Sequence, residues 1–133
     1  MTPRQRLVNI IQRHVANPVM RAVPIQTLLE TTGRKSGQQR NTPLFYVEDG
    51  ADYIVVASNG GAAKAPAWWL NLQAGGPAAV DIRATHRAVT GSQVSDEDKP
   101  RLWEQLTSRY PGYNNYQKKT ERVIPLVRLS PSA

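Results

Sequence analysis

Residues 31–44 read TTGRKSGQQRNTPL, and the reading of this stretch decides the fold. Before it, Ile25-Gln26-Thr27-Leu28-Leu29-Glu30-Thr31 has a period of two, and after it Arg40 to Glu48 reads as a second strand. A period of two sends successive side chains to opposite faces of a sheet, so the stretch is a turn joining two strands. Gly33 and Gly37 serve the turn. Arg34, Lys35 and Arg40 exceed what a turn needs, and Ser36 adds a hydroxyl among them. Turn amides beside fixed cations make a cradle for phosphate or carboxylate. The plainer reading is a solvated basic hairpin tip, and these residues alone leave both open.

Working outward, Asp49-Gly50 is a hairpin signal, and Tyr53 to Ser58 is a third strand running into Asn59-Gly60-Gly61. Glycines at a strand end let a ligand approach the backbone, where exposed amides can bind polar ring edges; an ordinary loop is the alternative. Pro66 suits the first turn of a helix carrying Trp68, Leu70 and Leu72. Ala78 to Arg83 and Thr85 to Thr90 are further strands. Ser95 opens a polar, acidic helix start, and Leu102, Trp103, Leu106 and Tyr110 form the apolar stripe of the helix that follows. Pro111-Gly112 breaks that helix, and Val123 to Leu129 is a last strand. Near the N-terminus, Leu7, Ile10, Ile11 and Val15 fall at helical spacing, so residues 4–16 read as an amphipathic helix stopped by Asn17-Pro18. Five or six short strands with one or two long helices predict an α+β domain whose sheet curls into a small barrel. Without repeats, low-complexity segments or a linker, residues 1–133 read as one domain.

Composition narrows the function. A chain of 133 residues with 40% hydrophobic content builds one core. The absence of cysteine excludes disulfides and thiolate chemistry and fits a reducing cytoplasm. No apolar run reaches the ~18–20 residues of a membrane span, so the reading is a soluble protein. The net charge of +7 favours an acidic partner: nucleic acid, an anionic membrane or a small anionic ligand. A nucleic-acid groove interleaves cations with aromatics. Here the cations gather at one turn and the aromatics lie elsewhere.

Catalytic motifs are scarce. His14 and His86 have neither the spacing nor the companions of a metal site. There is no G-x-S-x-G elbow, no G-x-x-x-x-G-K-[ST] loop and no G-x-G-x-x-G. Asp96, Glu97 and Asp98 cluster where a helix N-terminus favours negative charge. Side chains so poorly equipped for hard chemistry point to a borrowed reagent. Trp68 and Trp69, with Tyr110, Tyr113 and Tyr116, suit either core packing or a cleft for a flat ligand. Because Pro111-Gly112 intervenes, the three tyrosines need not share a helical face.

Three segments, TTGRKSGQQRNTPLFY, VVASNGGAAKAPAWWLNL and YPGYNNYQKKTERVIPL, together resemble the deazaflavin-dependent nitroreductase and quinone reductase family, whose members use reduced coenzyme F-420. The likeness runs from about Leu28 to Leu129. It implies a split β-barrel of the flavin-reductase and pyridoxamine-phosphate-oxidase type, with the N-terminal helix and other helices packed on it. It also implies hydride transfer from the reduced deazaflavin to quinones, enones, unsaturated lactones or nitro compounds.

By position, the resemblance gives Arg34, Lys35, Ser36 and Arg40 to the coenzyme's phosphate and oligoglutamate tail. Thr42, Pro43 and Phe45 flank its ring system, and Val56, Ala57, Ser58 and Asn59 run along the polar edge. Trp68 and Asn71 complete the pocket, while Ser58, Tyr110, Tyr113 and Tyr116 face substrate. QAGGPAAV departs from the family's usual loop, and Trp69 and Asn59 occupy variable positions, which puts acceptor choice in question.

A flavin mononucleotide enzyme on the same fold is the runner-up, and a basic nucleic-acid-binding module a distant third. The remaining expectations are a cytoplasmic monomer or weak homo-oligomer. The helix within residues 1–20 docks on the barrel or touches the inner face of the membrane, where long-chain quinones reside.

Overall fold

The structure is a computed structural model that describes residues 26–132. The helix expected over 4–16 lies outside them. Seven strands pair antiparallel: β1 (Gln26–Thr32), β2 (Gln39–Phe45), β3 (Val47–Asp49), β4 (Asp52–Val56), β5 (Ala78–Ile82), β6 (Thr85–Gln93) and β7 (Leu126–Pro131). Their order across the sheet is β2-β1-β5-β6-β7-β4-β3. β2 and β3 stand at opposite edges, yet only Tyr46 separates them along the chain. One stretch, Gln39 to Asp49, therefore borders both edges, which requires the sheet to curl into the expected barrel.

The single strand expected over Arg40 to Glu48 is corrected at Tyr46. The backbone leaves the ladder there, and the ring packs in the barrel core, edge-on to Tyr53 at 5.4 Å between centroids. Burial pushes the Tyr46 phenol up to about 12.

Period two sorts the side chains into two cores. Leu29, Val55, Val80, Val127 and Leu129 pack in one buried cluster, joined by Trp68, Trp69 and Leu72 of helix α1 (Ala67–Gln73). Strand β6 lets α1 approach closely at Gly91, where an added Cβ would lie 2.9 Å from Leu72 Cδ1. Neighbours of opposite parity, Ile54, Val56 and Leu126, face a second cluster with Leu102 and Leu106 of α2 (Lys99–Arg109). Leu102 and Leu106 are one helical turn apart and fully buried, which stabilises this layer by about 1.5–3 kcal/mol each.

Two readings of this region change. Trp103 is only half-buried and its indole N–H donates to Asn114 Oδ1 at 3.1 Å. After Pro111 the chain also resumes as a second helix, α3 (Gly112–Lys118), so Tyr113 and Tyr116 share a face at i, i+3.

An ion-pair network fastens α2 to the β3–β4 hairpin. Arg128 on β7 reaches Asp49 and Asp52, each at 3.0 Å, and Arg101 on α2 reaches Asp49 at 3.1 Å. Hydrogen bonds from Arg101 and Arg128 hold the Asp49 carboxyl below the usual carboxylate range. No helix among the described residues is long and apolar enough to cross a membrane.

Candidate functional site

The β1–β2 connection is a tight turn. Gly33 N–H donates to Gln38 O and Gly37 N–H to Gly33 O, both at 2.8 Å, and Ser36 Oγ accepts the Gln38 N–H at 3.2 Å. Gly37 sits at φ +70°, a left-handed conformation that disfavours a side chain. Gly33 is close-packed, since a Cβ there would come within 2.7 Å of Ser36 Oγ. These bonds brace the turn, which projects Arg34, Lys35 and, from the start of β2, Arg40 into solvent.

Asn71 on α1 fixes this corner from below. It is buried, and its Oδ1 accepts both the Arg34 backbone N–H at 3.1 Å and Arg34 Nη1 at 3.2 Å. Its Nδ2 donates to Thr31 Oγ1 at 3.2 Å. One buried amide thus ties α1, β1 and the turn together and orients a guanidinium. Turn, β2 and α1 enclose a cleft of about 600 Å3. Its walls include Arg34, Lys35, Ser36, Arg40, Thr42, Trp68 and Asn71, so seven residues expected from separate segments converge there. Among the described residues, none of Arg34, Lys35 and Arg40 enters an ion pair. Three cations without counter-charge, beside an indole, favour a ligand with both a flat and an anionic part.

A second feature follows β4. Ser58 is right-handed (φ −79°, ψ −34°), and Asn59, Gly60 and Gly61 are left-handed at φ 47°, 63° and 83°. A right-handed residue followed by a left-handed one turns successive amides toward a single concave side. Among the described residues, the N–H groups of Ser58, Asn59 and Gly60 donate to no backbone carbonyl. Helix α3 packs against this loop so closely that a Cβ on Gly61 would lie 2.8 Å from Tyr116 O. Val56, Ala57 and Ser58 are buried here, while Asn59 is exposed and donates to Lys64 O at 3.1 Å.

The tyrosines belong to an aromatic ladder. Phe45 stacks on Tyr110 at 4.4 Å, Tyr110 meets Tyr113 edge-on at 6.1 Å, and Tyr113 meets Tyr116 at 6.0 Å. Tyr110 and Tyr113 are buried in the second core and Tyr116 is half-buried. Burial raises the Tyr110 and Tyr113 phenols, so both stay neutral donors at ordinary pH.

Pro43, Phe45, Val56, Ala57, Ser58, Asn59 and the tyrosines do not line the cleft at the turn. Gln39, Asn41 and Ala67 do, although sequence reading passed over them. The signal was the polar run Gln38-Gln39-Arg40-Asn41-Thr42, unusual for a half-buried strand. His86 is also corrected: the β1–β5–β6 pairing gives it two acidic companions, Asp81 at 2.6 Å and Glu30 at 4.0 Å. Strand register, which sets such neighbours, is not written in residue spacing.

Residues 4–131 match the model of the F420H(2)-dependent quinone reductase family. An F420H(2)-dependent quinone reductase of Mycobacterium tuberculosis is 39% identical over 110 residues, covering 80% of this chain and 74% of its own. A solved F420-H2-dependent reductase is 35% identical with a TM-score of 0.71, over 79% of this chain and 93% of that one. A solved domain-swapped dimer is 30% identical with a TM-score of 0.72, over 97% of this chain and all of that one.

Proposed function

This chain belongs to the F420H(2)-dependent quinone reductase family, and on that premise we propose that the cleft at the β1–β2 turn holds coenzyme F-420. The chain is an oxidoreductase on a split β-barrel that passes hydride from the reduced coenzyme to quinones. The observation that carries the site assignment is the cluster of three cations without a carboxylate partner, lining a cleft with Trp68.

The residues present fit the coenzyme, whose family form joins a flat deazaflavin to a phosphodiester and several glutamates. Arg34, Lys35 and Arg40 hold the anionic tail. An ion pair at about 5 Å and an effective dielectric near 20 contributes roughly 3 kcal/mol before desolvation and side-chain entropy reduce it. Asn71 lowers that entropic cost for Arg34 by fixing its guanidinium beforehand. Trp68 would complete the pocket as a wall of the same cleft, and the Ser58–Gly60 amides would suit the polar edge of the ring. Bound there, the reduced coenzyme supplies a hydride for the acceptor.

The chain's own part in the reaction is to orient, to exclude water and to donate protons. Negative charge that develops on an acceptor oxygen is stabilised by donors placed beside it. Ser58 Oγ and the Tyr113 hydroxyl are the donors assigned to this role. The Tyr113 phenol, which burial raises, is a neutral hydroxyl able to donate a hydrogen bond. Enones, unsaturated lactones and nitro compounds extend the proposed acceptor range. The same arginines would suit the phosphate of flavin mononucleotide, and it is the family match that favours the deazaflavin.

The test is optical. Reduced coenzyme F-420 is mixed with the protein and a panel of quinones, enones and nitroaromatics, and its oxidation is followed. Oxidation by quinones is expected; none by any quinone, with coenzyme binding intact, refutes the assignment. For residues 1–20 docking on the barrel is proposed, with peripheral membrane contact as the alternative idea. Vesicle sedimentation of the chain with and without that segment decides it, and equal partitioning ends the idea.

A further inference from the structure

Arg122 lies between α3 and β7, and sequence reading gave it no role. Its guanidinium spans three main-chain carbonyls of the loop after β4. Nε donates to Ala62 O at 2.9 Å, Nη2 to Ser58 O at 2.7 Å, and both terminal nitrogens to Ala57 O at 3.3 Å. The arm is anchored too: Gln117 donates to the Arg122 carbonyl at 2.8 Å and accepts the Ile124 N–H at 2.9 Å.

Among the described residues Arg122 enters no ion pair, although it is half-buried. Removing a cation from water without a counter-charge is costly, and neutral donors would satisfy carbonyls at less expense. What the fork adds is geometry and sign. It draws three carbonyl oxygens to one side, while the right-handed then left-handed backbone turns the amides of Ser58, Asn59 and Gly60 to the concave one. The charge also lies behind those amides, where its field favours an electron-rich group in front of them.

We infer that Arg122 is the positioning residue for the coenzyme's ring: by gripping Ala57, Ser58 and Ala62 it holds the amides of Ser58, Asn59 and Gly60 ready to receive the carbonyl edge of a flat heterocycle. The inference rests on the coenzyme reading of the site and divides the labour within it. The turn cations act on the tail, and Arg122 acts on the ring through the loop.

The experiment uses two probes, intact coenzyme F-420 and a deazaflavin fragment without phosphate or glutamates, each titrated by fluorescence. Arg122→Ala weakens both probes alike, by about tenfold, the size expected when the loop amides are no longer pre-organised and about one hydrogen bond to the ring is lost. Arg122→Lys keeps the charge but cannot span three carbonyls, so it recovers part of the loss. Lys35→Ala weakens the intact coenzyme alone. In the coenzyme-free protein, Arg122→Lys shifts the amide resonances of Ser58, Asn59 and Gly60. Fragment affinity within about twofold of wild type in a folded Arg122 variant overturns the inference. If Arg122→Ala does not fold, Arg122→Gln, which loses both the charge and the fork, decides on the same readout. Failure of wild type to bind either probe instead refutes the coenzyme reading itself.

Discussion

Two groups of cations on this barrel are treated in opposite ways. Arg101 and Arg128 lie against Asp49 and Asp52 in a network that fastens α2 to the β3–β4 hairpin. Arg34, Lys35 and Arg40 stand on a close-packed turn, and among the described residues no carboxylate pairs with them. Both groups are partly or fully exposed, so solvent alone does not explain the difference. Paired cations hold elements together, and the unpaired ones raise the free energy of the empty protein slightly by mutual repulsion. That repulsion is relieved when an anion arrives. The first group serves the fold, and the second serves a ligand.

The contrast is broken most strongly at the turn. Lys35→Ala is expected to weaken coenzyme binding by about tenfold or more, as a charge-assisted hydrogen bond contributes ~1.5–3 kcal/mol. Thermal stability stays at the wild-type value. A fluorescence titration beside a melting curve reads both, and the reverse pattern would merge the two groups into one. At the network the outcome inverts. Arg128→Ala lowers the melting temperature by about 2–4 °C, a modest amount because pairs still partly open to solvent are screened, and leaves coenzyme affinity alone.

Tyr113→Phe sharpens the comparison from a third direction. It alters turnover or acceptor range with little change in coenzyme affinity, checked by steady-state rates across the quinone panel. The smallest effect concerns acid. The Asp49 carboxyl titrates lower in the folded chain than in the unfolded one, so its contribution is present above the unfolded pKa and is lost as pH falls through the folded value. Acid titration of stability below roughly pH 4 is therefore steeper in wild type than in Asp49→Asn. Parallel curves would remove Asp49 from the network.

Much of this arrangement is legible in residues 31–44. Alternation identifies the two strands, glycines identify the turn, and the local density of charge marks the corner. The convergence of Trp68 and Asn71 on that corner followed from family resemblance, since residues so far apart in the chain, 37 positions for Asn71 and Arg34 and 40 for Asn71 and Thr31, meet only through sheet register and helix docking. Three features escaped for related reasons. The break at Tyr46 lies inside an unbroken strand pattern, because closing a barrel bends the chain where periodicity gives no sign. α3 is only seven residues long, and the proline–glycine pair before it reads as an end when it is a restart. Arg122 sits in a polar loop where nothing local distinguishes a solvated arginine from one whose partners lie 60 to 65 residues upstream.

The assignment of the unpaired cations is tested most directly by titrating coenzyme F-420 into wild type and into the double variant Lys35→Ala/Arg40→Ala at low ionic strength. Two lost charge-assisted contacts predict a fall in affinity of about a hundredfold. Equal affinity in both proteins, with the double variant folded, would contradict the account.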